Sequence, residues 1–165
     1  MYNKEEHDDL IRWLNDAYAM ENSIIEVLED HIKDARDFPE IRQRLSLHLE
    51  ETHAHADQVK SCIELLGGSA STAKTALSDA LRKMKCVFTG MYSDELVKNS
   101  LSEYMTEHLE IGCYHSLIAA AEECGENRVA EVCGHILEEE QRMADWVYAE
   151  IPNITRQHLT AHAMG

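Results

Sequence analysis

Proline and glycine are scarce in this chain, at 2 and 7 of 165 residues, and aromatics make up only 6%. Turn-rich sheet folds draw on all three, so their shortage points to helices. No apolar run approaches the ~20 residues that a membrane span needs. Positive charge is also short: 15 Lys and Arg face 31 Asp and Glu, for a formal net charge of −16. Such a field repels phosphate backbones and anionic lipid and draws in cations, so neither nucleic acid nor a membrane is an expected partner. The opening segment, with Glu5, Glu6, Asp8 and Asp9, is too acidic for a secretory signal, and a cytoplasmic location is expected. No C-x-x-C pair occurs. Cys62, Cys86, Cys113, Cys124 and Cys133 form an odd set and read as reduced thiols that fill a core. What remains is globular composition, 44% hydrophobic and 28% charged, and a length that supports one domain without disulfide or zinc staples.

Punctuation along the chain divides it into four long helices. The first is predicted from about 3 to 36 and is broken by Asp37-Phe38-Pro39-Glu40, with Pro39 suited to the first turn of the second. The second ends at Gly67-Gly68. A crossover of roughly 25 residues follows, with a short helix expected over about 73–86 and a turn near Gly90. The third helix is predicted over about 93–124 and the fourth over about 128–150, joined at Gly125-Glu126-Asn127, with Ile151-Pro152-Asn153 as the stop. Two helical hairpins joined by one long crossover make an all-α, ferritin-like four-helix bundle. Its expected extent is residues 1–152, followed by a flexible tail over 153–165.

Carboxylates interrupt the apolar stripes of these helices. Leu10, Leu14, Ala17, Glu21, Ile24, Leu28 and Ile32 step by three or four residues, as do Val129, Cys133, Ile136, Glu140, Met143 and Val147. Glu21 and Glu140 therefore point inward. Helix 2 carries Ile41, Leu45, His48, Thr52, His55, Val59 and Cys62, with Glu51 beside the seam, three residues after His48 and four before His55. In helix 3 a stripe with Leu96, Ser100, Glu103, Glu107, Glu110, Tyr114 and Leu117 competes with one through Val97, Leu101, Tyr104, His108 and Ile111, and periodicity does not choose between them. Spacing favours the first: Glu21 to Glu51 and Glu110 to Glu140 are both 30 residues, centred near the two turns. At 1.5 Å per residue each acid then lies about 20–25 Å from its turn, and all four can meet at one level.

Four buried carboxylates cannot stay ionised unaided; they take up protons or bind cations. Two divalent ions would balance their charge. Oxygen donors with one or two imidazoles suit iron, with manganese as the alternative. His55 and His48 are the candidate imidazole donors, and Glu107, in Glu107-x-x-Glu110, is either an additional ligand or a surface charge. The strict Glu50-x-x-His53 pair shares a polar face with Ser46, Asp57 and Lys60 and reads as solvated. Helix 4 offers Met143 three residues after Glu140, a thioether ill suited to hard iron. Tyr18 and Tyr114 lie near enough in phase to hydrogen-bond a ligand carboxylate, although ordinary half-buried tyrosines fit the pattern too.

Four separated blocks carry a family resemblance: Leu14-Asn15-Asp16-Ala17-Tyr18-Ala19-Met20-Glu21, His48-Leu49-Glu50-Glu51-Thr52, Glu107-His108-Leu109-Glu110-Ile111-Gly112-Cys113-Tyr114, and Glu138-Glu139-Glu140-Gln141-Arg142-Met143-Ala144-Asp145-Trp146. From about 5 to 152 the chain resembles the YciE/YciF family of bacterial ferritin-like, rubrerythrin-like stress proteins, more closely the YciE branch. The resemblance implies a homodimer with a di-iron site and a part in stress responses. The family's acidic positions fall on Glu21, Glu51, Glu110 and Glu140, with Glu107 as the second acid of helix 3. Ferritins and rubrerythrins carry His three residues after the ligand Glu; here Ala54 and Met143 stand at that offset, a departure that bears on turnover more than on metal binding. The expected function is a di-metal carboxylate protein that oxidises ferrous iron with oxygen or peroxide. Glu21 and Glu140 would be terminal ligands and Glu51 and Glu110 bridging or paired ones, with His55 or His48 as the nitrogen donor. The alternative is a non-catalytic metal-binding or structural stress-response dimer with an incomplete or empty site.

Overall fold

The computed structural model describes residues 4–71 and 95–163, with side chains as far as position 160. Four helices account for nearly all of it: α1 (Lys4–Asp34), α2 (Pro39–Leu65), α3 (Glu95–Glu123) and α4 (Asn127–Ala163). No strand occurs among the described residues. The expected crossover helix and turn, and Cys86 with them, lie outside the described residues.

Both hairpin turns follow from local chemistry. Pro39 occupies the first turn of α2, where its missing N–H costs nothing. Gly125, at φ 76°, ends α3 in the left-handed region, and the N–H of Glu126 reaches back to the carbonyl of Ala121 at 2.8 Å. Gly67, at φ 78°, closes α2 in the same way, with Gly68 N–H on the carbonyl of Ile63 at 2.9 Å. The hairpins α1–α2 and α3–α4 pack side by side, α1 against α3 and α2 against α4, so that each helix turns one stripe toward a common axis. Leu10, Leu14, Met20, Ile24 and Leu28 from α1 meet Val59 and Ile63 from α2, Leu117 from α3 and Cys133, Ile136 and Met143 from α4 in one core. Each large side chain fully buried there contributes about 1.5–3 kcal/mol.

In α3 the buried set includes Leu96, Ser100, Glu103, Glu107, Glu110, Tyr114, Leu117 and Ala121, so the acid-bearing stripe is the interior one. In α4 the predicted stop is corrected. The helix continues through Pro152 to Ala163 where a flexible tail was expected from 153. An internal proline costs about 3 kcal/mol through the lost hydrogen bond and ring clash. Burial of Ile154 in the common core offsets that cost, and Thr155 Oγ1 donates to the carbonyl of Ile151 at 2.8 Å within the same stretch. None of the described helices is long and apolar enough to cross a membrane.

Candidate metal centre

Midway along the bundle the apolar core gives way to ionisable groups from all four helices. Glu21 of α1, His48 and His55 of α2, Glu107 and Glu110 of α3 and Glu140 of α4 are each fully buried. They fall into two overlapping triads, Glu21–His55–Glu140 and His48–Glu107–Glu140, with the potential donor atoms of each within 4.8 Å of one another. Glu140 belongs to both. His48 Nε2 lies 3.1 Å from Glu107 and 3.9 Å from Glu140; His55 Nδ1 lies 2.8 Å from Glu140 and 3.9 Å from Glu21.

These approaches are close but off hydrogen-bond directions. Glu21 Oε2, His48 Nε2, His55 Nδ1 and both oxygens of Glu107, Glu110 and Glu140 are buried without a hydrogen-bond partner. An unpaired buried polar atom costs about 1–3 kcal/mol, more when charged. Their convergence is the pattern of a donor set that a shared cation would satisfy, and carboxylate oxygens with two imidazole nitrogens fit iron, manganese or zinc. Among these four carboxylates Glu21 alone accepts a side-chain hydrogen bond, from the hydroxyl of Tyr114, which donates to its Oε1 in a very short contact.

Burial sets the electrostatics. It pushes the Glu21 carboxyl up to about 8, Glu140 adding to the rise while His55 and Tyr114 oppose it. Burial likewise raises Glu107, against the pull of His48, and raises Glu110, which Glu140, Glu21 and Glu107 push further. At His55 burial works downward, but Glu140, Glu21 and Glu139 prevail and raise it to about 9; at His48 Glu107 leads the groups that outweigh burial and carry it well above the usual imidazole range. Metal-free, the centre therefore holds protons at neutral pH that divalent ions would have to displace.

Of the predicted ligands, Glu21, Glu107, Glu110, Glu140, His48 and His55 come together, and Glu51 does not. Its side chain keeps 27% of its exposure and accepts hydrogen bonds from His48 Nδ1 at 3.2 Å and from Arg44 at 3.1 Å, which, against partial burial, hold its carboxyl down at about 2. The reason is register. Glu21 and Glu110 each stand thirteen residues before the end of their helices, and Glu140 stands thirteen past the start of α4, but the residue thirteen past the start of α2 is Thr52. The first connection, 35–38, is one residue longer than the second, 124–126, so equal spacing in sequence turns Glu51 about 100° away from the axis. Thr52, fully buried, takes the acid's place and donates to the carbonyl of His48 at 2.8 Å.

Sequence reasoning also missed a second buried pair. His31 Nδ1 meets Glu103 Oε1 between α1 and α3 in a very short contact, leaving His31 Nε2 unpartnered. The signal was present: His31 adjoins Ile32 of the α1 stripe, and Glu103 sits in the α3 stripe one turn before Glu107.

Comparison with known proteins agrees with this architecture. Residues 5–160 match the model of a family described as "Domain of unknown function (DUF892)". Protein YciF of Escherichia coli (strain K12) is 28% identical over 148 residues, covering 81% of this chain and 82% of its own. A protein of known structure from Xanthomonas campestris is 33% identical, with a TM-score of 0.83 over 96% of this chain and 99% of that one. A bacterioferritin from Desulfovibrio desulfuricans, solved with its diiron site in different catalytic states, superposes with a TM-score of 0.74 at 22% identity over 95% of this chain and 88% of its own. These relatives do not divide the YciE branch from the YciF branch.

Proposed function

The chain belongs to the DUF892 family, and from that premise we propose that its two buried triads bind a pair of divalent metal ions, iron foremost, at which ferrous iron is oxidised by peroxide or oxygen. The observation that carries this reading is the set of orphaned donor atoms on four helices, converging on Glu140 where no apolar or hydrogen-bonded partner compensates them. The bacterioferritin with the same fold holds a diiron site, and the E. coli relative YciF is described as a stress protein, which together support a stress-response role. A bound pair of ferrous ions would supply two electrons together, one from each iron, to reduce peroxide to water or dioxygen to peroxide.

The chain's own residues set the terms of binding. Glu140 is the shared ligand. Glu21 and His55 complete one side and Glu107 and His48 the other, with Glu110 as a further acid beside them. Tyr114 orients Glu21 through its hydroxyl. The enclosing core, Met20, Ile24, Ile136 and Met143 among it, is fully or almost fully buried and keeps bulk water from the donors.

A second reading, binding without turnover, is favoured by Thr52 and Met143. Both are fully buried at positions one turn from a donor, and neither supplies the carboxylate or imidazole that would complete the coordination. One experiment separates the two. Ferrous iron is added anaerobically to the protein and to Glu140→Ala, bound metal is counted, and peroxide or air is then admitted while ferric absorbance is followed. Two irons bound with rapid oxidation supports the first reading, and two bound without it the second. Iron uptake by neither protein would refute both.

A further inference from the structure

Both imidazoles of the centre are gripped from behind. His48 presents Nε2 to Glu107 and Glu140, and its other nitrogen, Nδ1, donates to Glu51 at 3.2 Å. His55 presents Nδ1 to Glu140 and Glu21, and its other nitrogen, Nε2, lies 2.7 Å from Glu139. The ring atoms are thus used in opposite senses. Seven residues separate the histidines, about 10.5 Å along α2, so the rings approach the centre from opposite ends. The supporting carboxylates, Glu51 on α2 itself and Glu139 on α4, both lie at the edge of the bundle, 27% and 35% exposed. Each is tied in turn to an arginine: Arg44 to Glu51 at 3.1 Å and Arg142 to Glu139 at 3.5 Å.

An ionised carboxylate only accepts hydrogen bonds, so the ring nitrogen that faces it carries the hydrogen. In the neutral imidazole that metal ligation requires, the opposite nitrogen then holds the lone pair. We propose that Glu51 and Glu139 are positioning residues that fix opposite tautomers at the two histidines, so that His48 offers Nε2 and His55 offers Nδ1 to a divalent cation. This rests on, and deepens, the metal-centre reading above. Arg44 and Arg142 hold each carboxylate in place and offset its charge, and the ring is oriented without being stripped of its second proton. The contrast lies one turn before Glu107 on α3: His31 has the same carboxylate grip from Glu103, but neither residue belongs to a converging triad among the described residues. A carboxylate behind a histidine is thus not enough; the pattern gains meaning where the free nitrogen meets other donors.

The test uses Zn(II), which is diamagnetic and accepts nitrogen and oxygen ligands, on the full 15N-labelled chain, with long-range 1H–15N correlation of the histidine rings and calorimetric titration. The expected result is metal-induced shifts at His48 Nε2 and His55 Nδ1, with the hydrogen retained on His48 Nδ1 and His55 Nε2. Glu51→Gln and Glu139→Gln, which keep the side-chain length and remove the charge, should each lower Zn(II) affinity about 10–100-fold with the circular dichroism spectrum unchanged. Coordination through the same-named nitrogen on both rings, or unchanged affinity in both variants, would overturn the proposal while leaving the metal centre standing. Failure of the unsubstituted chain to bind Zn(II) would overturn both.

Discussion

Replacing Glu21 by glutamine should stabilise the metal-free protein while weakening the metal-bound one. Burial, with Glu140, holds the native carboxyl near 8, against 4.5 in the unfolded chain. A carboxyl raised in this way contributes its full share to stability below pH 4.5 and loses it as pH rises through 8. At pH 7 the unfolded chain would already have released a proton that the native chain must keep. Roughly 2.5 pH units at about 1.4 kcal/mol each make that cost about 3–4 kcal/mol. The substituted amide is neutral at every pH and still accepts from Tyr114, with a Glu140 oxygen within 4.8 Å of the side chain it replaces. Allowing about 1 kcal/mol for imperfect amide hydrogen bonding, the net gain is about 2–3 kcal/mol, or about 5–10 °C in Tm for a chain of this size. At pH 5 the same arithmetic gives a cost under about 1 kcal/mol, which the amide allowance cancels, so no net gain is expected there. Thermal unfolding of both proteins with a chelator at pH 5 and 7 reads the difference, and repeating it with Mn(II) should shrink or reverse the gain. A variant less stable than the parent at pH 7, or a gain that does not change with pH, would refute the assignment of Glu21 as a forced proton carrier.

Saturation with Mn(II) at about 100 times its Kd should add about 2.7 kcal/mol to native stability, and Glu140→Ala, which removes the ligand common to both triads, should abolish the shift in differential scanning fluorimetry. Because Glu21, Glu107, Glu110, His48 and His55 are all raised, metal binding near pH 7 should release protons and tighten as pH rises from 6 toward 9, which calorimetry in buffers of different ionisation enthalpy detects. Ile154→Ala should cost about 2–4 kcal/mol in urea unfolding, as expected of a core aliphatic and not of a tail residue; a loss under about 0.5 kcal/mol would show that α4 beyond Pro152 is not anchored.

The helices were legible because stripe and punctuation agreed. Pro39, Gly67 and Gly125 mark ends that their backbone requirements enforce. Glu21 and Glu140 stood out because a carboxylate inside an apolar stripe has no cheap explanation, and the structure buries both completely. Pro152 misled because its cost is local, whereas burial of Ile154, which overrides it, belongs to the tertiary fold. Glu51 misled for a subtler reason. Equal sequence spacing implies equal depth only between hairpins with equal turns, and one additional residue in 35–38 was enough to exchange Glu51 for Thr52 at the axis. The exchange left α2 without an interior acid, and α3 carries two, Glu107 and Glu110, while α2 contributes two imidazoles in place of one. The donors are therefore distributed unevenly between the hairpins, although the helices that carry them are arranged alike. Turn length, which stripe analysis ignores, sets the sequence spacing at which a side chain reaches the centre; inserting one residue into the first turns of α2, between Pro39 and Leu45, would carry Glu51 to the axial position and swing both His48 and His55 off it.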